Sequence, residues 1–459
     1  MIATEQSLTR RTIARYAIGS LGTGGFSTLP GLVLVYYLTD TLGVAAIVAG
    51  VVVTAAKIWD VVIDPVIGAR SDRMLARRGS RRPMMVLGAV SLPVFFLVTF
   101  AVPAGTPPPL ASLWVLLAFV LTATSFSLFQ VPYIALPAEL ASGYDQRTRL
   151  LTWRVVVLTF AILLFGAGGP ALRSIGDDQF TGYLLMALVA GVVIGAGMLV
   201  SSFVAPRMPV GALPEPARES VLVTLRTNYA AGIRVLRESQ PFRALLLTFL
   251  LQGLATGVML AGANYVATWV LHSEDAVTFL FVALIGPALV VTPLWGVISR
   301  RIGKERGFAV ASILFGVSAL SMIALLWAPG AWVYLPVALV GAGYAGMQSL
   351  PMAMLPDVIS HDAARAGSGR AGTFGGMWTA GETTGMALGA TVLTIVLAVT
   401  GYVARTADPS VVVAGTGQPA SAVAGIVLSF SVVPAAIVAA SLIPLARYRL
   451  RKEDIDGRV

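Results

Sequence analysis

The chain lacks cysteine and is poor in charge. It has 459 residues, no cysteine, two histidines and only 12% charged residues, whereas soluble domains carry about 25%. Without cysteine there is no disulfide and no thiol-ligated metal or haem. His272 and His361 are too far apart in the sequence to predict a metal site. So few charges cannot cover the surface of a water-soluble protein, which argues against a soluble enzyme, a secreted disulfide scaffold and a disordered chain.

Long apolar runs take the place of the missing charge, and 57% of the residues are hydrophobic. About 20 apolar residues span a bilayer as a helix. The runs are continuous, unlike the ten-residue alternations of a membrane barrel. They predict an all-α polytopic membrane protein with twelve segments, at about 14–39, 44–69, 84–103, 110–138, 152–172, 181–204, 243–271, 277–299, 306–328, 331–356, 373–401 and 420–446.

The segments fall into two halves that resemble each other. Residues 64–73 (DPVIGARSDR) after the second segment align with 292–301 (TPLWGVISRR) after the eighth. Likewise, 132–137 (PYIALP) aligns with 351–356 (PMAMLP). A six-helix repeat of this kind is typical of transporters that bind substrate between two halves, near the bilayer midplane.

A polar stretch separates the halves and predicts three regions. It is rich in proline at first and then amphipathic from Arg218 to Arg237, a pattern that predicts a helix on the membrane surface. We expect an N-terminal six-helix bundle at 1–205, a cytoplasmic linker at 206–241 and a C-terminal six-helix bundle at 242–459.

The net charge of +10 is explained by orientation. Basic residues cluster before the first segment, after the second, in the linker, after the eighth and after the twelfth, while the opposite loops hold only Arg173 and Arg405. The positive-inside rule then places both termini in the cytoplasm of a cell (inner or plasma) membrane. Nucleic acid is therefore not an expected partner.

Charges inside the segments are the informative ones, because each costs about 2.5–3.5 kcal/mol to insert at a helix centre. Lys57, Asp60 and Asp64 in the second segment are spaced three and four apart, which places them on one helix face. One lysine with two carboxylates leaves a negative charge over. A coupling cation, either Na⁺ bound by Asp60 and Asp64 or H⁺ taken up by one of them, would compensate it; a structural ion pair without a transport role is the alternative.

Further polar residues extend this candidate site. Arg154 at the start of the fifth segment is either an interfacial anchor or a substrate donor. Glu382 in the eleventh segment either takes part in binding or gating, or forms a static pair with Lys57 or Arg154. With Lys57, the candidate substrate-binding residues are Ser127, Gln130, Arg154, Trp378, Thr379, Glu382 and Thr383, although any one of them alone is more often a packing residue.

Two other features concern movement and packing. Opposite charges at the cytoplasmic ends of the segments could hold the cytoplasmic side closed, with solvated surface charge as the alternative. The candidate gating residues are Asp72, Arg73, Glu139, Asp145, Arg147, Asp357 and Arg365.

The first segment carries Gly19, Gly22, Gly24 and Gly25, which permit either close helix packing or a broken helix.

Several motifs resemble the major facilitator superfamily and, within it, the glycoside–pentoside–hexuronide:cation symporters, the family of the melibiose carrier. These are 57–68 (KIWDVVIDPVIG), 131–140 (VPYIALPAEL) and 354–359 (MLPDVI). The resemblance implies two pseudo-symmetric bundles, cation binding at Asp60 and Asp64, and basic site residues at Lys57 and Arg154.

The sugar-binding positions of that family are altered in this chain. The first-helix aspartate falls near Gly24, the fourth-helix aspartate at Gln130 and the eleventh-helix lysine at Thr383, while the hydroxyl position is kept as Ser127. The resemblance therefore implies that cation coupling is retained and that sugar recognition differs.

The functional expectation is a secondary active transporter that couples Na⁺ or H⁺ to symport of a small polar solute, a sugar or glycoside, by alternating access. A carrier or exporter of an amphiphile such as a lysolipid is the alternative. We expect no enzyme activity and no cofactor. The expected partners are the solute, the coupling cation and the lipid bilayer, and the expected state is a monomer.

Overall fold

The computed structural model describes residues 9–140, 144–176, 178–207, 209, 221–273, 275–366, 371–405 and 417–450. The regular elements in these ranges are helical. The α-helices are α1 Arg10–Ile18, α2 Ser20–Tyr36, α3 Ala46–Arg78, α4 Arg82–Thr99, α5 Pro108–Leu140, α6 Tyr144–Arg173, α7 Gln179–Ser202, α8 Val221–Glu238, α9 Gln240–Tyr265, α10 Ala276–Ile302, α11 Lys304–Ser321, α12 Tyr334–Ala366, α13 Ala371–Val399, α14 Ala420–Phe430 and α15 Val432–Ala446.

Twelve helical spans in the described ranges are long and apolar enough to cross a membrane. The first span, Arg10–Thr41, joins α1, α2 and a π-helical turn, and the last, Ala420–Ala446, joins α14 and α15. The prediction of a twelve-span, all-helical chain is confirmed. Helix α8 lies in the stretch that the sequence predicts as amphipathic.

The chain divides into two compact units. Unit 1 contains Met1–Val44, Ala55–Val221 and Arg405–Val412, and unit 2 contains Ala45–Thr54, Leu222–Ala404 and Val413–Val459. Helix α3 therefore begins in unit 2 and continues in unit 1. The domain limits at 205 and 241 stay predictions.

Glycine allows close helix packing in unit 1. A Cβ built on Gly24 would lie 2.7 Å from the Cβ of Ala161 and 2.9 Å from the carbonyl oxygen of Leu158, both in α6. A Cβ on Gly22 would likewise meet the side chain of Met198. The close-packing interpretation of this stretch is confirmed, and the span is also interrupted, because α1 ends just before Gly19 and α2 begins just after it.

A second glycine contact joins α9 and α13 in unit 2. Gly381, Gly385 and Gly389 are spaced four apart, and a Cβ on any of them would press on α9. At Gly385 that Cβ would lie 2.5 Å from the carbonyl oxygen of Leu250, and at Gly389 it would collide with the backbone of Gly257. The two backbones therefore touch, which fixes the middle of α13 beside α9.

We predict that Gly385→Ala destabilises the protein. The added methyl group has to push the backbone of α9 away, at a cost of about 1–3 kcal/mol, so the unfolding temperature in detergent should fall. The matched control is Gly376→Ala on the same helix, where a Cβ meets nothing within 4 Å and helix propensity favours alanine. Equal unfolding temperatures for the two variants would contradict this packing.

Candidate functional site

The charged face of α3 carries an ion pair. The Nζ atom of Lys57 lies 3.2 Å from Oδ2 of Asp60, one helical turn away, and Asp64 interacts electrostatically with both residues. The prediction that the three side chains share a face is confirmed. Since one lysine faces two carboxylates, the group keeps one excess negative charge.

Two carboxylate oxygens in this group are buried and lack a hydrogen-bond partner. They are Oδ1 of Asp60 and Oδ1 of Asp64. The hydroxyl of Ser127 in α5, a residue only 3% exposed, donates to the Asp64 carboxylate. A buried carboxylate oxygen without a partner is costly, and a bound cation removes that cost. The arrangement therefore has the chemistry of a small cation site with hard oxygen donors.

A metal ion held by several protein ligands needs more than the two carboxylates of α3. Among the described residues, no group of three or more His, Cys, Asp or Glu is placed to hold a metal ion. Asp60 and Asp64 are a pair, so a Na⁺ ion between them needs further oxygens, and the Ser127 hydroxyl, which bonds to Asp64, is one candidate. Their assignment as cation ligands stays a prediction.

Arg154 in α6 lies against buried tyrosines of unit 1. Its Cζ atom is 5.5 Å from the ring centroid of Tyr133, with which it is also hydrogen-bonded. The Tyr133 hydroxyl lies 2.9 Å from the carbonyl oxygen of Tyr16 and 3.0 Å from Oγ of Ser20. Nε of Arg154 is buried without a hydrogen-bond partner. Arg154 is thus packed against protein groups of unit 1, and its role in substrate binding stays a prediction.

Gln130 is tied to the first span. The hydroxyl of Thr23 in α2 donates to Oε1 of Gln130 across 2.8 Å. The acceptor of this amide is thus engaged, and its NH₂ group is the part suited to a ligand. Gly24 follows Thr23 and packs on α6, where there is no room for a side chain. The polar group that the family's first-helix aspartate provides near this position is therefore absent from position 24.

Unit 2 contains a recess between α9, α12 and α13. Its lining residues are Phe249, Gln252, Gly253, Thr256, Tyr344, Met347, Gln348, Glu382 and Met386. Of the residues predicted for substrate binding, Glu382 lines it. Trp378 is 3% exposed and stacks on Phe249 at 4.3 Å, so it supports one wall. Thr379 and Thr383 are exposed and do not line the recess.

Gln252, Tyr344 and Gln348 also line the recess, and none of them was predicted from the sequence. Two glutamines inside long apolar segments were the available signal, because uncharged polar side chains in membrane helices usually face protein rather than lipid. Their proximity could not be foreseen, since they lie on helices almost 100 residues apart in the chain.

Two of the predicted gating residues of unit 1, Asp72 and Glu139, pair with Arg81. Its Nη2 lies 2.6 Å from Oδ1 of Asp72, its Nε 2.6 Å from Oε1 of Glu139, and its Nη1 2.7 Å from Oγ of Ser71. Burial acts to lower the pKa of Arg81, but its hydrogen bonds to the Glu139 and Asp72 carboxylates, together with their negative charge, outweigh it and raise the pKa above its usual value. Arg73 donates to the carbonyl oxygen of Ala69 on its own helix.

Unit 2 has a corresponding pair. Lys304 donates to Asp357 across 2.5 Å and to the carbonyl oxygen of Ala353 across 3.0 Å. Asp72, Glu139 and Asp357 are thus paired inside their own units, with Arg81 and Lys304, which are not among the predicted gating residues. The side chains of Asp145, Arg147 and Arg365 lie outside the described residues, and the latch between halves stays a prediction.

We predict that Arg81→Gln strongly destabilises the protein. The change leaves Glu139, whose side chain is 11% exposed, as an unpaired buried charge, which costs on the order of 3 kcal/mol. The unfolding temperature in detergent should fall clearly below that of Arg78→Gln, a loss of the same charge at an exposed position nearby. Similar temperatures for both variants would show that the ion pairs are dispensable.

Comparison with known proteins identifies the family. Residues 15–452 match the family described as MFS/sugar transport protein, so the chain belongs to this family of the major facilitator superfamily. The resemblance to glycoside–pentoside–hexuronide:cation symporters, noted from the second-helix motif, is confirmed.

Two relatives and one solved structure illustrate the range. A glucuronide carrier protein homolog of Escherichia coli is 23% identical, with 87% of this chain and 86% of that protein covered. The sodium-dependent lysophosphatidylcholine symporter 1 of Mus musculus is 24% identical, covering 75% and 69%. The crystal structure of a D-xylose-proton symporter, 14% identical, has a TM-score of 0.64 over 95% of this chain and 96% of that one, which confirms the fold.

Proposed function

We propose that this chain is a cation-coupled symporter that carries a sugar or glycoside across a membrane by alternating access. The observation that carries the coupling is the pair of buried, partnerless oxygens on Asp60 and Asp64, next to the Ser127 hydroxyl. Membership of a sugar-transport family and the relative named as a glucuronide carrier support a sugar as the solute.

The cation acts by cancelling the excess negative charge of α3. With Na⁺ or H⁺ bound, the Lys57, Asp60 and Asp64 group becomes neutral, and the cost of keeping it in a low-dielectric bundle falls. One positive charge that moves inward through about 100 mV supplies about 2.3 kcal/mol, which corresponds to roughly fifty-fold accumulation of solute. Both ions satisfy carboxylate oxygens, so the donor set is compatible with either.

A carrier of an amphiphile such as a lysolipid is the second candidate. It is favoured by the relative named as a lysophosphatidylcholine symporter. The amide, hydroxyl and carboxylate groups of the unit 2 recess favour a polar solute instead. Transport of labelled sugars and lysolipids into proteoliposomes separates the two candidates.

We predict that Asp60→Asn and Asp64→Asn each abolish uptake driven by a cation gradient. The amide removes the negative charge that the cation compensates, while the fold and the solute site remain, so exchange of solute at equal concentrations should be spared. Uptake into proteoliposomes under a Na⁺ or a pH gradient is the measurement. Asp178→Asn, at an exposed helix N-cap where asparagine serves equally well, is the matched control. Normal gradient-driven accumulation of solute by the Asp60→Asn, Asp64→Asn double variant would contradict the proposal.

We propose that both termini lie in the cytoplasm of a cell (inner or plasma) membrane and that the protein is a monomer. The distribution of basic residues supports this orientation. Since the chain has no cysteine, single cysteines report topology directly. A membrane-impermeant maleimide should label Ala104→Cys in intact cells, and Thr9→Cys only after the membrane is opened; both positions are exposed. The reverse pattern would invert the topology.

A further inference from the structure

The unit 2 recess has an unusual balance of hydrogen-bond donors and acceptors. Gln252 is 3% exposed, and its Nε2 donates to Oγ of Ser312 at 2.8 Å and to Oγ of Ser441 at 3.2 Å. Both hydroxyls donate to carbonyl oxygens of their own helices, those of Phe308 and Val438. They must therefore accept from Gln252, which fixes the orientation of its amide.

This orientation leaves one strong acceptor unused. Oε1 of Gln252 is buried and has no hydrogen-bond partner, although Gln252 lines the recess. An amide oxygen buried in this way costs about 1–3 kcal/mol unless a donor reaches it. Its place in the recess indicates that the donor comes from a ligand.

Two other donors of the lining are also engaged within the protein. Nε2 of Gln348 donates to the Tyr344 hydroxyl at 2.8 Å, and the Thr256 hydroxyl donates to the carbonyl oxygen of Gln252 at 2.8 Å. Glu382 interacts electrostatically with Tyr344, and an ionised carboxylate can only accept. The recess therefore offers mainly acceptors to a ligand.

Charge points the same way. The lining contains one acidic residue, Glu382, and no Lys, Arg or His. Phe249, held from behind by Trp378, and Met386 form an apolar wall. A site of this composition suits a ligand with an apolar face and several O–H or N–H donors, and it repels an anion.

We propose that this recess is a solute subsite that selects sugars by their donors: it accepts uncharged and amine-bearing sugars and rejects uronates. The proposal rests on the sugar-symporter function proposed above, and it separates this chain from the relative named as a glucuronide carrier.

The test compares sugars that share a ring and differ in one group. Purified protein in detergent is titrated with glucose, glucosamine and glucuronate, and with the galactose, galactosamine and galacturonate series, and the shift in unfolding temperature gives each Kd. In at least one series the neutral and amino sugars should bind at least tenfold more tightly than the uronate.

Two variants test the assignment of residues. Glu382→Gln keeps the size of the side chain and should lower the preference for the amino sugar over the neutral one at least fivefold, while Glu238→Gln, an exposed acid of α8, changes nothing. Gln348→Leu should weaken both classes alike, because it removes a polar lining group without changing charge.

The outcomes separate this inference from the proposed function. A uronate that binds as tightly as its neutral partner, or a Glu382→Gln variant with all affinities unchanged, overturns the subsite while uptake coupled to a cation stands. Failure of every sugar to be taken up by wild-type proteoliposomes under either gradient overturns the symporter function, and the subsite with it.

Discussion

This structure depends on one constraint: an excess negative charge lies inside an apolar helix bundle. The chain carries 22 acidic residues in all, and two of them lie one helical turn apart in the middle of α3. A buried ion pair with one lysine offsets only part of the cost. Lys57 engages Asp60, and Asp64 is left with a hydroxyl from α5. A mobile cation is the partner that such a site can gain and lose.

Positioning of these groups depends on small residues elsewhere. Where α2 meets α6 and where α9 meets α13, glycines let the helix backbones approach to contact distance. Without a hydrophobic drive between helices in lipid, such contacts are a main source of specific association. They fix the positions of α6, which carries Arg154, and of α13, which carries Glu382. The positions of these polar side chains therefore depend on glycines at the helix contacts.

The sequence was sufficient to predict the twelve helical spans and the shared face of α3, but not the contacts between side chains of different helices. Twelve continuous apolar runs define twelve spans almost regardless of packing, and the spacing of Lys57, Asp60 and Asp64 fixes their common face through helix geometry alone. What the sequence could not give were partners across helices. The role of Arg81 as the common partner of Asp72 and Glu139, and the meeting of Gln252 with Ser312 and Ser441, depend on which helices are neighbours and how each is rotated. Thr383 lies on α13, as Glu382 does, but it does not line the recess, and its role in substrate binding stays a prediction.

The two units differ in the kind of group they leave unsatisfied, and this difference bears on selectivity. Unit 1 buries carboxylate oxygens beside Lys57 and, against Tyr133, an arginine whose Nε lacks a hydrogen-bond partner, so it presents both signs of charge. Unit 2 buries the amide oxygen of Gln252 without a hydrogen-bond partner. The NH₂ group of the same amide donates to two serine hydroxyls, which in turn donate to carbonyl oxygens of their own helices. The neutral network around Gln252 can be altered without re-pairing a charge, whereas a change to the carboxylates of α3 alters the charge that the proposed cation compensates. In the roles proposed above, coupling and solute choice therefore depend on different residues of one fold.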